Sequence, residues 1–295
     1  MKFHQVHLLP LLCLPSSKAW GTLGHTTVAY IASSLVSPPT TLFFQSILYN
    51  DTEHYLANIA TWADSFRYTA AGRFSAPLHF IDARDDPPRS CGVQMKRDCG
   101  GSEGEGCIVG AIANYTGQLL DPNIPFWKRN MAAKFVVHFL GDIHQPLHTE
   151  ALLRGGNSIP VLFGGKATNL HHVWDTSIPE THIGGYGHPF AQLWAANLTD
   201  SILHGVYRSQ AENEWLEGMD LQDPESSALI WAGESNAAVC STVLPQGQGG
   251  VEDVELSGKY FEDAVPVVES LIARAGLRLA KWLDLIALAA VRDEL

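Results

Sequence analysis

The chain has 295 residues, of which 46% are hydrophobic, and it carries a formal net charge of −12. This length suits one large domain with a sizeable core, or two small ones. Taken alone, the acidic balance argues against a protein that binds nucleic acid through a broad basic surface. Beyond the N-terminal region, no apolar stretch is long and uninterrupted enough to span a bilayer.

The N-terminal segment has the features of a secretory signal peptide. Lys2 gives a basic start, an apolar run follows from Leu8 to Leu14, and small residues lie three and one positions before Trp20. We therefore expect residues 1–19 to be a signal peptide and the mature, secreted chain to begin at Trp20. The C-terminal Arg-Asp-Glu-Leu is similar to an ER-retention signal, but its Arg departs from the usual Lys or His, so we rank retention below secretion.

Most of the chain after Trp20 has the apolar spacing of helices. We predict helices over Gly24–Val36, Glu53–Tyr68, Cys107–Leu120, Met131–Gln145, Ala191–Val206, Pro224–Val243 and Lys259–Leu288, with Pro266 kinking the last one. Phe80–Gly106 is rich in Asp, Pro, Gly and Cys and is predicted to be a long loop. Ile159–Phe163, followed by Gly164-Gly165, indicates a short hairpin. The predicted fold class is all-α: a single-domain helical bundle over residues 20–295 with one short β-hairpin and a disulfide-stapled long loop.

Cysteines and sequons fit an extracellular chain. Cys13 would leave with the signal peptide, and the four that remain form an even set, which predicts two disulfides with three possible pairings. We favour Cys99–Cys107, which closes a Gly-rich loop, and Cys91–Cys240, which ties the long loop to a distant helix. The sequons at Asn50, Asn114 and Asn197 predict glycosylation.

His and Asp recur at a spacing that places them on one face of a helix. His138 and Asp142 are four positions apart, as are His171 and Asp175. Such a pair alone is more often an ordinary hydrogen bond, but His138 and Asp142 stand among apolar residues. Burying an imidazole and a carboxylate there is costly unless a cation pairs with them. Imidazole and carboxylate ligands without a thiolate indicate a catalytic zinc site. The further candidates are His25, Asp64, His79 and His148.

Six segments carry a resemblance to a known family. They are WGTLGH at 20–25, WAD at 62–64, LHFID at 78–82, HFLGDIHQPLH at 138–148, GGN at 155–157 and NLHHVWD at 169–175. Together they resemble the zinc-dependent, single-strand-specific nucleases of fungi and plants, the type I nucleases. The resemblance covers essentially the whole chain from Trp20 onward, including the cysteine positions.

The resemblance implies a cluster of three zinc ions. One zinc would be bound by Asp64, His79, His138 and Asp142. A second would be bound by His148, His171 and Asp175. The third would be bound by the α-amino group and carbonyl oxygen of Trp20, by His25, and by Asp142 as a bridge. Only signal cleavage could create that α-amino group.

The same resemblance implies an endonuclease that hydrolyses single-stranded DNA and RNA to 5′-phosphate products, with 3′-nucleotidase activity. A metal-bound hydroxide would attack phosphorus, and the expected partners are single-stranded nucleic acid and 3′-mononucleotides, with a monomeric protein and no membrane. Asp64 and Asp142 would be catalytic as metal ligands, and Arg67 would stabilise the charge of the transition state. The implied substrate contacts are base stacking by Phe80 and base-edge contacts by Asp82, Asn157 and the Gly155 backbone.

The acidic net charge is an objection to a nuclease, and two other functions are compatible with these residues. Three zinc dications against three carboxylates leave a local charge of about +3, so overall acidity does not exclude a phosphate substrate. A zinc-dependent phospholipase C also resembles the chain in its N-terminal Trp and its His/Asp site, although Phe80, Asp82 and Asn157 favour the nuclease. A secreted helical binding protein with purely structural zinc is the alternative from another class. His144 and His172 fall outside the ligand positions and are interpreted as neighbours of the site or surface residues.

Overall fold

The computed structural model describes residues 20–100 and 106–292. The predicted signal peptide, including Cys13, and residues 293–295 of the predicted retention signal lie outside the described residues. The α-helices of the described part are α1 Thr22–Leu35, α2 Pro38–Leu48, α3 Trp62–Phe66, α4 Met95–Asp98, α5 Ile108–Leu120, α6 Phe126–Asp142, α7 Leu170–His172, α8 Ile178–Ile183, α9 His188–Leu203, α10 Arg208–Asn213, α11 Pro224–Ala238 and α12 Lys259–Arg292. None of them is both long and apolar enough to cross a membrane.

The helices that carry the candidate ligands lie in the centre of the molecule. α1 packs between α12 and α9, and α6 packs against α5 and also contacts α1, α2 and α12. Every residue from Phe135 to Asp142 is buried, so the last two turns of α6 are covered on all sides. His138 and Asp142 are therefore held inside a close-packed core, where neither ring nor carboxylate can be hydrated by bulk water.

The predicted fold class is confirmed: the described chain is mainly helical, with one two-stranded hairpin. β1 Pro160–Phe163 pairs antiparallel with β2 Lys166–Asn169. Gly164 and Gly165, which link them, have φ angles of 60° and 74°, the left-handed values that a two-residue hairpin turn requires. Glycine adopts such angles without the steric penalty that a Cβ would bring.

Two of the predicted helices differ from the structure. Pro38 ends the predicted first helix, but it also begins α2, which the prediction missed, because Ser37 caps the new helix and Pro38 occupies its first turn. The predicted helix Glu53–Tyr68 is instead a 3-10 turn, Ala57–Ile59, followed by the short α3. The reason is tertiary: the carbonyl of Ala60 accepts a hydrogen bond from the buried His138 ring rather than from a helical N–H group.

Both favoured disulfides are present. Cys91–Cys240 joins the long loop to the π-helical segment Val239–Val243 that continues α11, and Cys99–Cys107 joins the end of α4 to the start of α5. The long loop contains α4, which was not predicted, and residues 101–105 within it lie outside the described residues. Pro266 lies inside α12 as predicted. The short helices α7, α8 and α10 were not predicted, and the remaining helices match their predictions to within a few residues at their ends, except that α6 begins at Phe126.

Candidate metal centre and substrate cleft

Four side chains from three elements meet in a first buried cluster. Asp64 comes from α3, His79 from the end of the 3-10 helix Arg73–His79, and His138 and Asp142 from α6. The His79 Nδ1 atom lies 2.9 Å from Asp142 Oδ2, and His138 Nε2 lies 3.2 Å from the same oxygen. The distance from His138 Nε2 to Asp64 Oδ1 is 3.8 Å. The four predicted ligands of one zinc are thus in mutual contact.

His25 of α1 joins this cluster from the other side of Asp142. Its Nε2 atom lies 3.0 Å from Asp142 Oδ1, while His79 and His138 face Oδ2. The His25 ring stacks on the His138 ring with centroids 4.0 Å apart. Asp142 therefore presents its two oxygens to two separate sets of histidines, which is the arrangement expected of a carboxylate that bridges two cations.

A second cluster consists of His148, His171 and Asp175. His148 lies on the 3-10 turn Pro146–Thr149 after α6, His171 lies in α7, and Asp175 lies in the π-helical segment Val173–Ser177 that follows. His148 Nε2 and His171 Nε2 are 3.2 Å apart, and His171 Nε2 is 3.2 Å from Asp175 Oδ2. One potential ligand atom from each residue lies within 4.8 Å of the others.

Backbone carbonyls fix the orientation of three of these rings. The Nδ1 atoms of His138, His148 and His171 donate to the carbonyls of Ala60, His79 and Gly155 at 2.7, 2.8 and 2.5 Å. Because a carbonyl can only accept, each Nδ1 carries a proton, and Nε2 is the atom that each ring directs into the cluster, where a cation could bind it. This is the hydrogen-bonding pattern that orients histidines as metal ligands. Two lone pairs 3.2 Å apart, as on His148 and His171, repel unless a cation or proton lies between them.

The ionisation of the first cluster also favours a positive charge at its centre. Burial raises the pKa of Asp142, but the neighbouring His138 and hydrogen bonds from its histidines hold it well below the usual range. Burial lowers the pKa of His138, but Asp142 and Asp64 raise it to about 9. Burial lowers the pKa of His79 to about 4, because its hydrogen bond to Asp142 only partly offsets the desolvation. In the metal-free protein a proton on His138 balances the carboxylates, and a bound cation would replace it.

Unsatisfied buried atoms complete the test of whether a metal fits. No well-aligned hydrogen bond satisfies the buried atoms His25 Nε2, Asp64 Oδ1 and Asp142 Oδ1, although His25 Nε2 and Asp142 Oδ1 lie 3.0 Å apart. Leaving a buried polar atom unpaired costs about 1–3 kcal/mol, and more when it is charged. All three atoms lie in the first cluster, so cations bound there would satisfy each of them. The residues present therefore fit a group of metal ions.

Trp20 lies against the helix that carries His25. Its side chain is fully buried and packs on α1 beside Gly24, where an added Cβ would lie 2.8 Å from the Trp20 Cβ. The amide of Gly21 donates to the carbonyl of Asp175 at 2.7 Å. The segment that begins at Trp20 is thus fixed between His25 on one side and the turn that carries Asp175 on the other.

A cleft of about 660 Å³ opens directly onto the second cluster. His148 and His171 form part of its wall, and all five residues predicted to contact the reacting phosphate or the base line it: Arg67, Phe80, Asp82, Gly155 and Asn157. Arg67 also lies 3.3 Å from Asp64, which links the cleft to the first cluster. Burial raises the pKa of Asp82. The predicted substrate residues and predicted metal ligands thus form one continuous site.

Gly155 and Asn157 occupy a tightly constrained turn beside the cleft. Gly155 has a φ of 59°, and an added Cβ would lie 2.5 Å from the carbonyl oxygen of Leu147, so only glycine fits. Its own carbonyl is the acceptor that orients His171. The Asn157 amide nitrogen donates to the carbonyl of Arg154 at 2.9 Å. The side-chain oxygen of Asn157 therefore stays available to a base.

The structure adds residues that the sequence analysis missed. Tyr68 is 56% exposed and lines the cleft, and the Arg67 guanidinium lies 5.2 Å from its ring centre. Buried Gln145 donates to Asp175 Oδ1 at 2.5 Å and so orients that carboxylate. Neither carries a spacing signal, although a Gln inside the HFLGDIHQPLH segment could have been noted as a polar residue in an apolar helix end. Arg84, Glu150 and Arg154 also line the cleft.

The two remaining histidines have distinct environments. His144 is fully buried, with Nδ1 bonded to the carbonyl of Leu140 and Nε2 3.1 Å from Arg278. His172 is partly buried, and its backbone N–H is capped by Asn169. Both environments agree with the prediction that neither is a ligand.

Comparison with known proteins agrees with this geometry. A model of the S1/P1 nuclease family matches residues 20–288. The chain is 53% identical over 268 residues to nuclease S1 of Aspergillus oryzae, covering 91% of this chain and 92% of that protein. It is 44% identical over 265 residues to nuclease P1 of Penicillium citrinum, covering 90% and 97%. It is 32% identical over 293 residues to endonuclease 2 of Arabidopsis thaliana, covering 94% and 93%. With a match over nearly its whole length and two buried His/Asp clusters at one cleft, the chain belongs to the S1/P1 nuclease family.

Proposed function

We propose that the protein is a zinc-dependent endonuclease that hydrolyses single-stranded DNA and RNA to 5′-phosphate products and also removes the phosphate of 3′-mononucleotides. The observation that carries the proposal is the meeting of two buried His/Asp clusters at one cleft whose wall includes an aromatic ring, Phe80. Relatives of this chain bear the names nuclease S1, nuclease P1 and endonuclease 2, which supports a nucleic-acid substrate.

Three zinc ions are the proposed cofactors. Asp64, His79, His138 and Asp142 would hold the first, and His148, His171 and Asp175 the second. The third would be held by His25, the second oxygen of Asp142 and the terminal amine and carbonyl of Trp20. Nitrogen and carboxylate ligands without thiolate suit catalytic zinc, and the separate oxygens of Asp142 that face His25 and His79 support the sharing of this carboxylate.

The chain's own residues supply orientation and charge. Bound zinc would lower the pKa of a water molecule and neutralise the phosphodiester. Arg67, fixed 3.3 Å from Asp64 and lining the cleft, stands where its guanidinium can donate to phosphate oxygens as charge accumulates on them. Gln145 holds Asp175, and backbone carbonyls hold His138, His148 and His171, so these four ligand side chains are positioned before substrate arrives.

Preference for single strands follows from the shape of the cleft. The second cluster lies in the cleft wall together with Phe80, Asp82 and Asn157, so a phosphodiester at the cluster brings its base against these side chains. A base in a single strand can leave its stack and rest on Phe80, whereas a duplex must first be unpaired at a cost of a few kcal/mol. Asp82 and the free oxygen of Asn157 would contact the edge of that base.

The decisive assay compares four substrates. We expect release of nucleotides from single-stranded DNA and RNA, much slower release from duplex DNA, and none from phosphatidylcholine. Hydrolysis of the phospholipid without release of nucleotides would replace the proposal by the phospholipase C alternative. Treatment with EDTA should abolish the activity, and added zinc should restore it; full activity after complete removal of metal would overturn the metal mechanism and leave only structural zinc.

The role of Trp20 is tested by metal content. A protein beginning at Trp20 should contain three zinc ions per chain, and a form with one additional residue before Trp20 should contain one fewer and lose most of its activity. The additional residue converts the amine to an amide, which is a poor ligand, while the fold is unchanged. Equal zinc content and equal rates in the two forms would overturn the N-terminal ligand.

We also propose that the protein is secreted as a monomer after removal of residues 1–19 and that it carries N-linked glycans. Asn114 and Asn197 are exposed and Asn50 is partly exposed, so all three sequons are accessible. Mass spectrometry of the protein recovered from culture medium should give Trp20 as the first residue and occupancy at these sites. Retention of the protein inside the cell would instead assign the role to the C-terminal Arg-Asp-Glu-Leu.

A further inference from the structure

Two arginines at the mouth of the cleft have no role in the site described above. Arg84 and Arg154 both line the cleft, and both side chains are exposed. Within the described part of the chain, neither guanidinium makes a close hydrogen bond or ion pair, although the charge of Arg84 lowers the pKa of Asp82 against the effect of burial. In contrast, Arg97, Arg208 and Arg274 each pair with a carboxylate. In a chain of net charge −12, the presence of two exposed arginines in the lining of one cleft calls for an explanation.

The backbone holds these two arginines next to each other. The amide of Ala151 donates to the carbonyl of Ala83, the residue before Arg84, at 3.0 Å. The amide of Arg154 in turn donates to the carbonyl of Ala151 at 3.0 Å. Arg154 has a φ of 61°, an unusual value for a residue with a side chain, and its carbonyl accepts from both amides of Asn157. The pair is therefore fixed to the same backbone that carries the base-contact residues.

The backbone also connects the two arginines to the second cluster. The amide of Ile81 donates to the carbonyl of His148 at 2.9 Å, so the same two segments run together from the second cluster to the arginines. Arg84 is three residues beyond Ile81, which places it at most about 10 Å further along. Arg84 thus lies beyond the second cluster along these segments, in the same cleft, where its guanidinium can reach a phosphate next to the one at the cluster.

We propose that Arg84 and Arg154 form a second phosphate subsite, which binds the phosphodiester next to the one being cleaved. The inference rests on the proposed function and adds to it the recognition of a polymer. Guanidinium groups bind phosphate through paired N–H donors, and such contacts fix the register of a strand without reading its sequence. The subsite gives an acidic protein a local cationic contact with single strands.

The test separates substrates by their number of phosphates. We would compare wild-type protein with Arg84→Gln, Arg154→Gln and the double variant on a dinucleoside monophosphate, a 3′-mononucleotide and a single-stranded oligonucleotide of ten residues. For the double variant we expect KM for the oligonucleotide to rise about 5- to 20-fold with kcat unchanged. Constants for the two one-phosphate substrates should stay within about twofold, because neither substrate has a second phosphate.

Salt dependence gives an independent readout. Each phosphate contact on a single strand contributes about 0.7 to the slope of log(kcat/KM) against log salt, so the double variant should lose about 1.4 for the oligonucleotide only. Arg208→Gln is the matched control, since Arg208 is exposed, pairs with Glu212 and does not line the cleft. It should leave every constant and the slope unchanged.

The outcomes are distinct. No change in oligonucleotide KM or slope, or an equal loss on one-phosphate substrates, would overturn the subsite while leaving the proposed function in place. A wild-type protein that hydrolyses none of the three substrates would overturn the proposed function and the subsite with it.

Discussion

Gly141, the residue before Asp142 in α6, gives a sharp test of the candidate metal centre. A Cβ added at this position would lie 2.6 Å from Nδ1 and 2.9 Å from Cε1 of His25. The His25 ring cannot move away easily, because it is buried and stacks on His138 at 4.0 Å. Gly141→Ala therefore displaces a predicted ligand without changing any ligand residue or any charge.

Two opposing terms set the magnitude. Replacing glycine by alanine inside a helix stabilises the fold by about 0.5–1 kcal/mol. Forcing an additional methyl group into a close-packed site costs about 1–3 kcal/mol. Gly117→Ala in α5 is the matched control, since a Cβ there meets nothing within 4 Å. Gly117→Ala should raise the melting temperature. The free energy of unfolding of Gly141→Ala should lie about 1–3 kcal/mol below that of Gly117→Ala, and each kcal/mol lowers the melting temperature by about 2–4 °C.

The functional assay is zinc content and nuclease rate at a temperature where both variants are folded. We expect Gly141→Ala to lose one metal ion per chain and to slow the reaction about 10- to 100-fold, the range found when the support of a ligand is disturbed. Gly117→Ala should keep full metal content and rate. If Gly141→Ala were as stable, as metal-rich and as active as Gly117→Ala, then His25 would not be a ligand fixed by this contact.

Three further predictions concern the stability of the fold around the site. Arg278→Met should lower the free energy of unfolding by about 3–5 kcal/mol in chemical denaturation. Arg278 is fully buried and pairs with Glu234 at 2.7 Å, and its removal leaves groups such as Trp215 O and His144 Nε2 without their donor. Replacing exposed Arg208 by Met should cost less than about 1 kcal/mol, and equal costs for the two variants would contradict the prediction. Burial and then Arg278 hold the pKa of His144 well below 6.5 in the folded protein, so the unfolded chain binds the additional proton, and the unfolding free energy should fall as pH drops below about 6.5. His144→Gln should reduce that slope by up to about 1.4 kcal/mol per pH unit, and a slope identical to wild type would mean that His144 does not contribute. Finally, removing Cys91–Cys240, whose sequence separation is 149, should lower the free energy of unfolding by about 5 kcal/mol. Removing Cys99–Cys107, whose separation is 8, should lower it by about 2.5 kcal/mol. Denaturant midpoints measure both, and the reverse order would refute the loop-entropy argument.

The candidate site was largely predictable because its signals are local. His138 with Asp142, and His171 with Asp175, are joined by helical spacing, so each pair shares a face whatever the rest of the chain does. Their apolar surroundings predict burial, and burial of such groups predicts a cation. Assignment of Trp20, His25 and the cleft residues depended on the resemblance of whole segments, since none of these residues has a spacing signal of its own.

The errors have the opposite character, because they arise where distant residues compete for the backbone. Residues 53–68 have the composition of a helix, yet Ala60 gives its carbonyl to His138, 78 positions away, and the ladder of helical hydrogen bonds is interrupted there. The sequence did not predict Tyr68, Gln145, Arg84 or Arg154 for the same reason. Their roles depend on the cleft and on the second cluster, which segments distant in the chain form together. A proline can also mark either end of a helix: Pro38 ends the predicted first helix and begins α2.

By itself, the sequence predicted that the chain is helical, that two His/Asp pairs share helix faces and indicate a metal site, and that four cysteines form two disulfides, because periodicity, burial cost and residue chemistry act over short distances. Only the tertiary structure decided that Asp142 directs its two oxygens to different histidines, that backbone carbonyls orient three Nε2 atoms inward, and that Arg84 and Arg154 stand together at the cleft mouth. These features depend on which distant groups fill each other's hydrogen-bonding capacity, and that is settled only when the whole core is packed.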